Sequence, residues 1–286
     1  MNADDLRYEY KPSLTTFFDV LGFRQMIENR DPEFIGSVLE KLRSHAKPNE
    51  LDREIFETEA IAFSDSIVRS VHLLSDANVR HPVGLLYHEI FQLAFIQACL
   101  IYEDNVFLRG AITAERLHIN DGIVFGPGLV DAYELESRHA VYPRILIDDR
   151  LMTLLSEFPN LLGAMHHDYE TDVDYIEAMS CLDFDGLRFV DYLSVSQDSY
   201  DDAAGFCDFL GVHCDVTAAA AQAAASVPSV LSKYHWVASY HNSVVNRIAD
   251  AFFEGFETTK DAFLLDDSRI PEFAAWTHPS PTKEFS

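Results

Sequence analysis

The sequence predicts an α+β fold, a largely antiparallel sheet flanked by helices with further helices after it. Three observations carry this. Short β-branched and aromatic segments such as "LTTFFDV" and "VFLRGAIT" alternate with longer segments of helical period. Turn signals separate them at Leu21-Gly22, Ser64-Asp65-Ser66 and Asp121-Gly122. After about residue 150 the pattern changes to an acidic block and then two helical stretches, one Ala-rich and one aromatic.

In chain order, residues 13–20 read as a strand. "RDPEFIGSVLEKLRSHA" opens a helix with Asp31 as N-cap and Pro32 in the first turn, and Phe34, Val38, Leu39 and Leu42 line one face. "FETEAIAFSD" and "SIVRSVHLL" are two strands of a hairpin with Asp65 near the turn. A long apolar helix begins near Pro82, "VFLRGAIT" is a strand, and "INDGIVFG" is a turn plus strand. Pro127 opens a helix over "PGLVDAYELESRHA", and "YPRILID" is another strand. This order is that of a ferredoxin-like, or palm, sheet, in which the first strand lies antiparallel beside the hairpin strand. Residues 1–150 are expected to form the core. Residues 151–286 are expected to form a C-terminal extension with a hairpin at "LDFDGLRFVDYLSV", an Ala-rich helix stopped near Pro228, and a last helix ending near Gly255.

Composition narrows the class. Hydrophobic content of 48% and charged content of 24% fit a water-soluble globular chain. No run is read as reaching the ~18–20 apolar residues of a membrane span, since the longest, Gly84 to Tyr102, contains His88, Glu89 and Gln92. The N-terminus has no signal-peptide pattern, so a cytoplasmic location is expected. The four cysteines make no CxxC pair and are expected to be reduced. A net charge of −26 argues against nucleic acid as a partner. Thirteen acids against one base between Asp168 and Asp215 read as a solvated face.

"TTFFDVLGF" and "EAIAFSDSIVRSV" each place an acid, Asp19 and Asp65, where an apolar strand ends. The topology brings both to one sheet edge, where they would repel and raise each other's pKa without a cation. Mg²⁺ or Mn²⁺ answers that need with hard oxygen coordination, and two such ions serve phosphoryl transfer. Gly22 lets backbone approach a triphosphate. The plainer reading is two ordinary strand-end acids. For a basic group at the phosphate, Arg109 stands inside an apolar strand, Arg138 and Arg144 flank the later helix and strand, and Arg24 reads as a solvated helix residue.

"FFDVLGF" resembles the first metal-binding segment of the class III nucleotidyl cyclases, and "AFSDSIV" their second metal aspartate at a hairpin turn. The segment from Phe107 to Asp148 follows the later cyclase layout, a strand, a Gly-containing hairpin and a helix ending in Leu135-Glu136. The likeness spans roughly Leu14 to Asp148. It departs at Ile61, where purine cyclases carry a base-reading lysine, and at Val130 and Glu134, where they carry Asn and Arg. Metal residues without purine-reading residues, together with "LRGAIT" and "ELESRHAVYPRI", are similar to the bacterial Pycsar cyclases.

That resemblance implies a palm sheet of the class III cyclase type and a pyrimidine nucleotide cyclase acting on UTP or CTP. Two Mg²⁺ or Mn²⁺ ions would be held by Asp19, Val20 and Asp65, the phosphates by Val20, Gly22, Phe23, Arg138 and Arg144, and the developing charge by Arg109. It further implies a homodimer with active sites at the subunit interface, an antiphage role, and an effector protein reached through the cyclic product. Two rivals remain: another palm-type enzyme, and a degenerate cyclase fold acting as a dimeric nucleotide-binding or regulatory module.

Other features read as plainer structure. "MHHDYE" places two histidines side by side, "DFDG" lacks the remaining ligands of a calcium loop, and the aromatic residues of "KYHWVASYHN" have packing spacing. Lys233 could reach a phosphate, but its helix has no place fixed by sequence.

Overall fold

A computed structural model describes residues 8–77, 84–155, 157, 161 and 169–272. The first strand, β1 (Lys11–Val20), is buried from Ser13 to Phe18, so both its faces are covered. It pairs antiparallel with β3 (Ser66–His72) on one side and with β4 (Leu108–Asn120) on the other. β2 (Thr58–Phe63) and β3 form the expected hairpin, turned at Ser64, whose φ is 55°. β4 outruns the expected strand because its second half, Ala114 to Leu117, keeps pairing with Leu14 to Lys11. Beyond it the sheet continues through β6 (Ile145–Ile147), β8 (Arg188–Val190) and β7 (Ser180–Leu182), while β5 (Ile123–Phe125) folds back on β4. The order β2-β3-β1-β4-β6-β8-β7 places the first strand beside the hairpin strand, as the palm reading expects. Only the β4–β6 pairing among these is parallel.

Side chains alternate between the two faces of β1. Leu14, Phe18 and Val20 join the main core together with α2 (Pro32–Ala46) and α4 (Leu85–Asp104). The Asp31 side chain accepts from the Phe34 N–H at 2.9 Å, the N-cap expected for α2. Sequence reading missed two short helices, α1 (Phe23–Asn29) and α3 (Glu50–Glu54), the latter closed by an Asn49/Asp52 capping box. The expectation about apolar runs is corrected by α4, which is long and apolar enough to span a membrane by length and composition alone. Here it is a core helix, and its Glu89 accepts from Arg69 Nε and Nη2 at 3.0 Å each and from Thr16 Oγ1 at 2.8 Å. Pro82 lies outside the described residues.

On the opposite face, α5 (Pro127–His139) covers Phe17 and Val68 through Ala132 and Leu129. The approach is close: a Cβ on Gly128 would stand 2.7 Å from Thr15 Oγ1, and Thr113 Oγ1 donates to the Gly128 carbonyl at 3.2 Å. At Gly110 a Cβ would stand 2.5 Å from the Phe17 carbonyl oxygen, so only glycine lets β4 lie this close to β1.

After α6 (Arg150–Leu154) and α7 (Tyr169–Ala178), the hairpin expected over residues 182–195 is β7–β8, which ends at Val190, and the "YLSV" end of that stretch is helical instead. The solvated-face expectation needs correction at two of its acids. Asp183 is buried against Arg144 Nη1 and Trp236 Nε1, and Asp191 is buried with Tyr240 OH at 2.6 Å and Arg247 Nη2 at 3.0 Å. Asp191 also caps α8 (Tyr192–Ser196). The Ala-rich helix is α9 (Ala203–Ala223), and α10 (Pro228–Arg247) follows at Pro228. The last helix does not run unbroken to Gly255. It stops at Arg247, which is tied to Asp191, and Ile248 and Ala249 are extended before α11 (Asp250–Glu254). No glycine or proline marks that break. All four cysteines are free thiols. Of "MHHDYE", residues 165–168 lie outside the described residues, and 169–170 begin α7.

Candidate active site

Asp19 stands at the end of β1, opposite Ser66 of β3 and Arg109 of β4. Ser66 directly follows the Ser64-Asp65 turn, so hairpin register brings Asp65 to the same edge. Val20, Gly22 and Phe23 follow in the turn into α1, where Gly22 has φ 76° and ψ 21°, a left-handed conformation that glycine adopts without strain. Together with Leu21, Arg24, Ile27, Glu28, Ser64, Arg109 and Lys233 these residues line one open cleft of about 530 Å³. The sequence-predicted Asp19, Val20, Gly22, Phe23, Asp65 and Arg109 are thus brought together.

The charges in the cleft are unevenly matched. Arg109 grips Asp19 with both arms of its fork, Nε to Oδ1 at 2.9 Å and Nη2 to Oδ2 at 3.0 Å. Its Nε also lies 2.9 Å from Oε1 of Glu136 on α5. Burial raises the Asp19 pKa above the ordinary value, with Arg109 opposing and Asp65 adding to the rise. Glu136 is 2% exposed, and burial together with the Asp19 charge pushes its pKa up to about 7. Asp65, half-buried, has no hydrogen bond or ion pair among the described residues.

Lys233 reaches the cleft from α10, far along the chain, and pairs with no carboxylate among the described residues. Burial lowers its pKa, as does the neighbouring Arg109. The distance in sequence is why its position was illegible. Glu136, read only as part of the Leu-Glu helix end, carried a signal in being an acid on the apolar side of α5.

Two of the sequence-predicted arginines stand apart from this cluster. Arg144 is fully buried, its guanidinium paired with Asp183 and Asp185 and lying over the rings of Tyr142 and Trp236. Arg138 is exposed on α5 and paired with Glu134 one turn away. Ile61 pairs in register with Val68, which pairs with Phe17, so it shares a sheet face with Asp19. Val130 and Glu134 lie on the exposed side of α5.

The donor set suits a hard divalent cation: two carboxylates at one edge, one of them without a hydrogen bond or ion pair among the described residues and the other holding a guanidinium. Phosphate groups in the same cleft would find Lys233 and Arg109.

No family model and no curated protein matches the chain. Among solved structures it is similar to the monomeric guanylyl cyclase domain of the RhoGC fusion protein from the aquatic fungus Blastocladiella emersonii. That match has 12% identity and a TM-score of 0.43, over 64% of this chain and 96% of that one. It is also similar to the guanylyl cyclase Cya2, at 14% identity and TM-score 0.38 over 52% and 80%. A bacterial light-regulated adenylyl cyclase aligns at 11% identity and TM-score 0.39, over 51% of this chain and 45% of that one. The fold assignment rests on the strand order itself.

Proposed function

We propose that the protein is a pyrimidine nucleotide cyclase that converts UTP or CTP to the 3′,5′-cyclic monophosphate and pyrophosphate. The observation that carries the reading is the convergence of Asp19, Asp65, Arg109 and Lys233 on one cleft, with Asp65 and Lys233 making no hydrogen bond or ion pair among the described residues. The ribose 3′-oxygen attacks the α-phosphorus and forms the new P–O bond. The bond from that phosphorus to the oxygen bridging to the β-phosphate breaks, pyrophosphate leaves, and the 3′-hydroxyl proton passes to solvent. Asp19 and Asp65 would hold two Mg²⁺ or Mn²⁺ ions, which when bound supply charge neutralisation and make the 3′-hydroxyl more acidic. Lys233 and Arg109 bind the phosphates, and the backbone from Val20 to Phe23 orients them.

Ile61, Val130 and Glu134, in place of purine-reading residues, favour a pyrimidine base, and UTP is the first choice. A homodimer with the cleft at its interface fits the partly covered sheet face, where Phe63 and Tyr133 pack on Phe17 and are about half exposed. Residues 151–286 act as an extension that completes the site through Lys233. The protein would work in the cytoplasm as a second-messenger synthase in antiphage defence, with an effector protein responding to the product.

Incubation with each of the four NTPs and Mn²⁺ tests the reading. Cyclic UMP or cyclic CMP, lost in Asp65→Ala, is the expected result. No turnover with any NTP, despite nucleotide binding, would instead favour the dimeric binding module.

A further inference from the structure

We propose that Arg109 is a resident counter-cation of Asp19, and that Glu136 is the group that receives it when a divalent cation takes Asp19. The inference rests on the metal-dependent reading above and assigns Glu136 a positioning role in that site. Nε of Arg109 lies 2.9 Å from Oδ1 of Asp19 and equally 2.9 Å from Oε1 of Glu136. It carries one hydrogen, and that hydrogen goes to Asp19. Oε1 of Glu136 is therefore buried without any hydrogen bond although a guanidinium nitrogen touches it. A buried, unsatisfied carboxylate oxygen is costly and uncommon. Here it stands as an acceptor waiting for a donor already within reach.

The frame around the pair is stiff. Arg109 is fixed opposite Asp19 by strand register, beside Gly110, where β4 and β1 are too close for any side chain. Glu136 is fixed because α5 sits on the sheet through the Gly128 contacts with Thr15 and Thr113. Both acceptor oxygens already lie 2.9 Å from Nε, so the hand-over requires only that its N–H turn from one carboxylate to the other. Arg109 fills one acceptor site on each oxygen of Asp19, so a divalent ion that chelates Asp19 through the same edge of the carboxylate competes with the fork and displaces it. Without Glu136, release would strand a half-buried guanidinium, which disfavours release and therefore metal binding.

The test needs no nucleotide and no turnover. Mn²⁺ binding is measured by the loss of the free-ion EPR signal for the full chain and for Asp65→Ala, Glu136→Gln, Arg109→Ala and the Glu136→Gln/Arg109→Ala double variant. Glu136→Gln is expected to weaken Mn²⁺ binding about tenfold or more, the size of one charge-assisted hydrogen bond. Arg109→Ala is expected to bind at least as tightly as the parent, and in that background Glu136→Gln changes affinity less than about twofold. An equal Glu136→Gln effect in both backgrounds means that Glu136 acts through its charge alone and overturns the exchange. Asp65-dependent Mn²⁺ binding with no effect of Glu136→Gln overturns the exchange while leaving the metal site standing. Absence of any Asp65-dependent Mn²⁺ binding overturns both.

A second measurement titrates the unaltered protein and uses one conservative variant, Arg109→Lys, only to assign the signal, in case the charge-removing variants fail to fold. The ¹⁵N-arginine Nε–H resonance that disappears in Arg109→Lys is followed during a Mg²⁺ titration. It is expected to shift with the binding isotherm. A resonance that stays still while Mg²⁺ saturates refutes the hand-over.

Discussion

Replacing Lys233 by methionine tests whether the C-terminal helix serves the site or merely covers it. Lys233 makes no ion pair or hydrogen bond among the described residues, so its removal deletes no protein contact of its charge. Burial and the nearby Arg109 both lower its pKa. The charged form is therefore disfavoured in the folded state relative to the unfolded one. The sign follows: that cost is present in full below the folded-state pKa and fades as pH rises towards the ordinary lysine value. At neutral pH Lys233→Met, which keeps the apolar stem, should melt at or above the parent temperature. If the ammonium binds a triphosphate, its loss removes a charge-assisted contact of about 1.5–3 kcal/mol, or roughly 10- to 100-fold in KM for the nucleotide. Steady-state pyrophosphate release against nucleotide concentration, beside a thermal melt, reads both quantities. A variant that is destabilised but has unchanged KM would refute the reasoning, because Lys233 would then be a packing residue.

Three further outcomes follow from the same geometry. Asp65→Ala should lower kcat by about a hundredfold or more. Its melting temperature should stay close to the parent, since Asp65 makes no hydrogen bond or ion pair among the described residues, and a matching drop in stability would count against a purely functional role. In metal-free protein, the Glu136 carboxyl titrates near 7 against an ordinary 4.5, so the folded state keeps a proton that the unfolded chain releases. Stability due to this group is lost as pH rises from about 4.5 to about 7. The melting-temperature advantage of Glu136→Gln over the parent should widen from pH 5 to pH 8, and a flat difference would exclude the raised pKa. Arg144→Ala strands Asp183, which is buried, and should destabilise by about 3–5 kcal/mol in chemical denaturation. A loss within 0.5 kcal/mol would show the pair to be dispensable.

Arg144 and Arg109 show where sequence reading stopped. Sequence reading made Arg109, inside an apolar strand, the candidate for the developing charge and Arg144, beside a later strand, a candidate for the phosphates, so both were drawn to one site. Register sets Arg109 against Asp19, whereas Arg144 meets two acids from a hairpin some forty residues later. Likewise, the Asp31 cap and the Pro127 helix start were legible because a cap involves neighbours within one turn. The break after Arg247 was not, because it depends on Arg247 bonding Asp191. The Asn49–Asp52 box was as local as the Asp31 cap and is a signal that patterning overlooked.

By itself, the sequence determined the order of the strands and longer helices of the first half, though not the short α1 and α3, together with the hairpin that carries Asp65 and the acid at the end of the first strand. These follow from periodicity, turn residues and caps, which act over a few residues and so are written locally. The tertiary structure alone decided that β8 and β7 extend the same sheet and that Lys233 enters the cleft. It also decided that Arg109 is suspended between two carboxylates. Those outcomes depend on which distant surfaces pack together, and packing is set by the shape of the whole core, which no single stretch of the chain encodes.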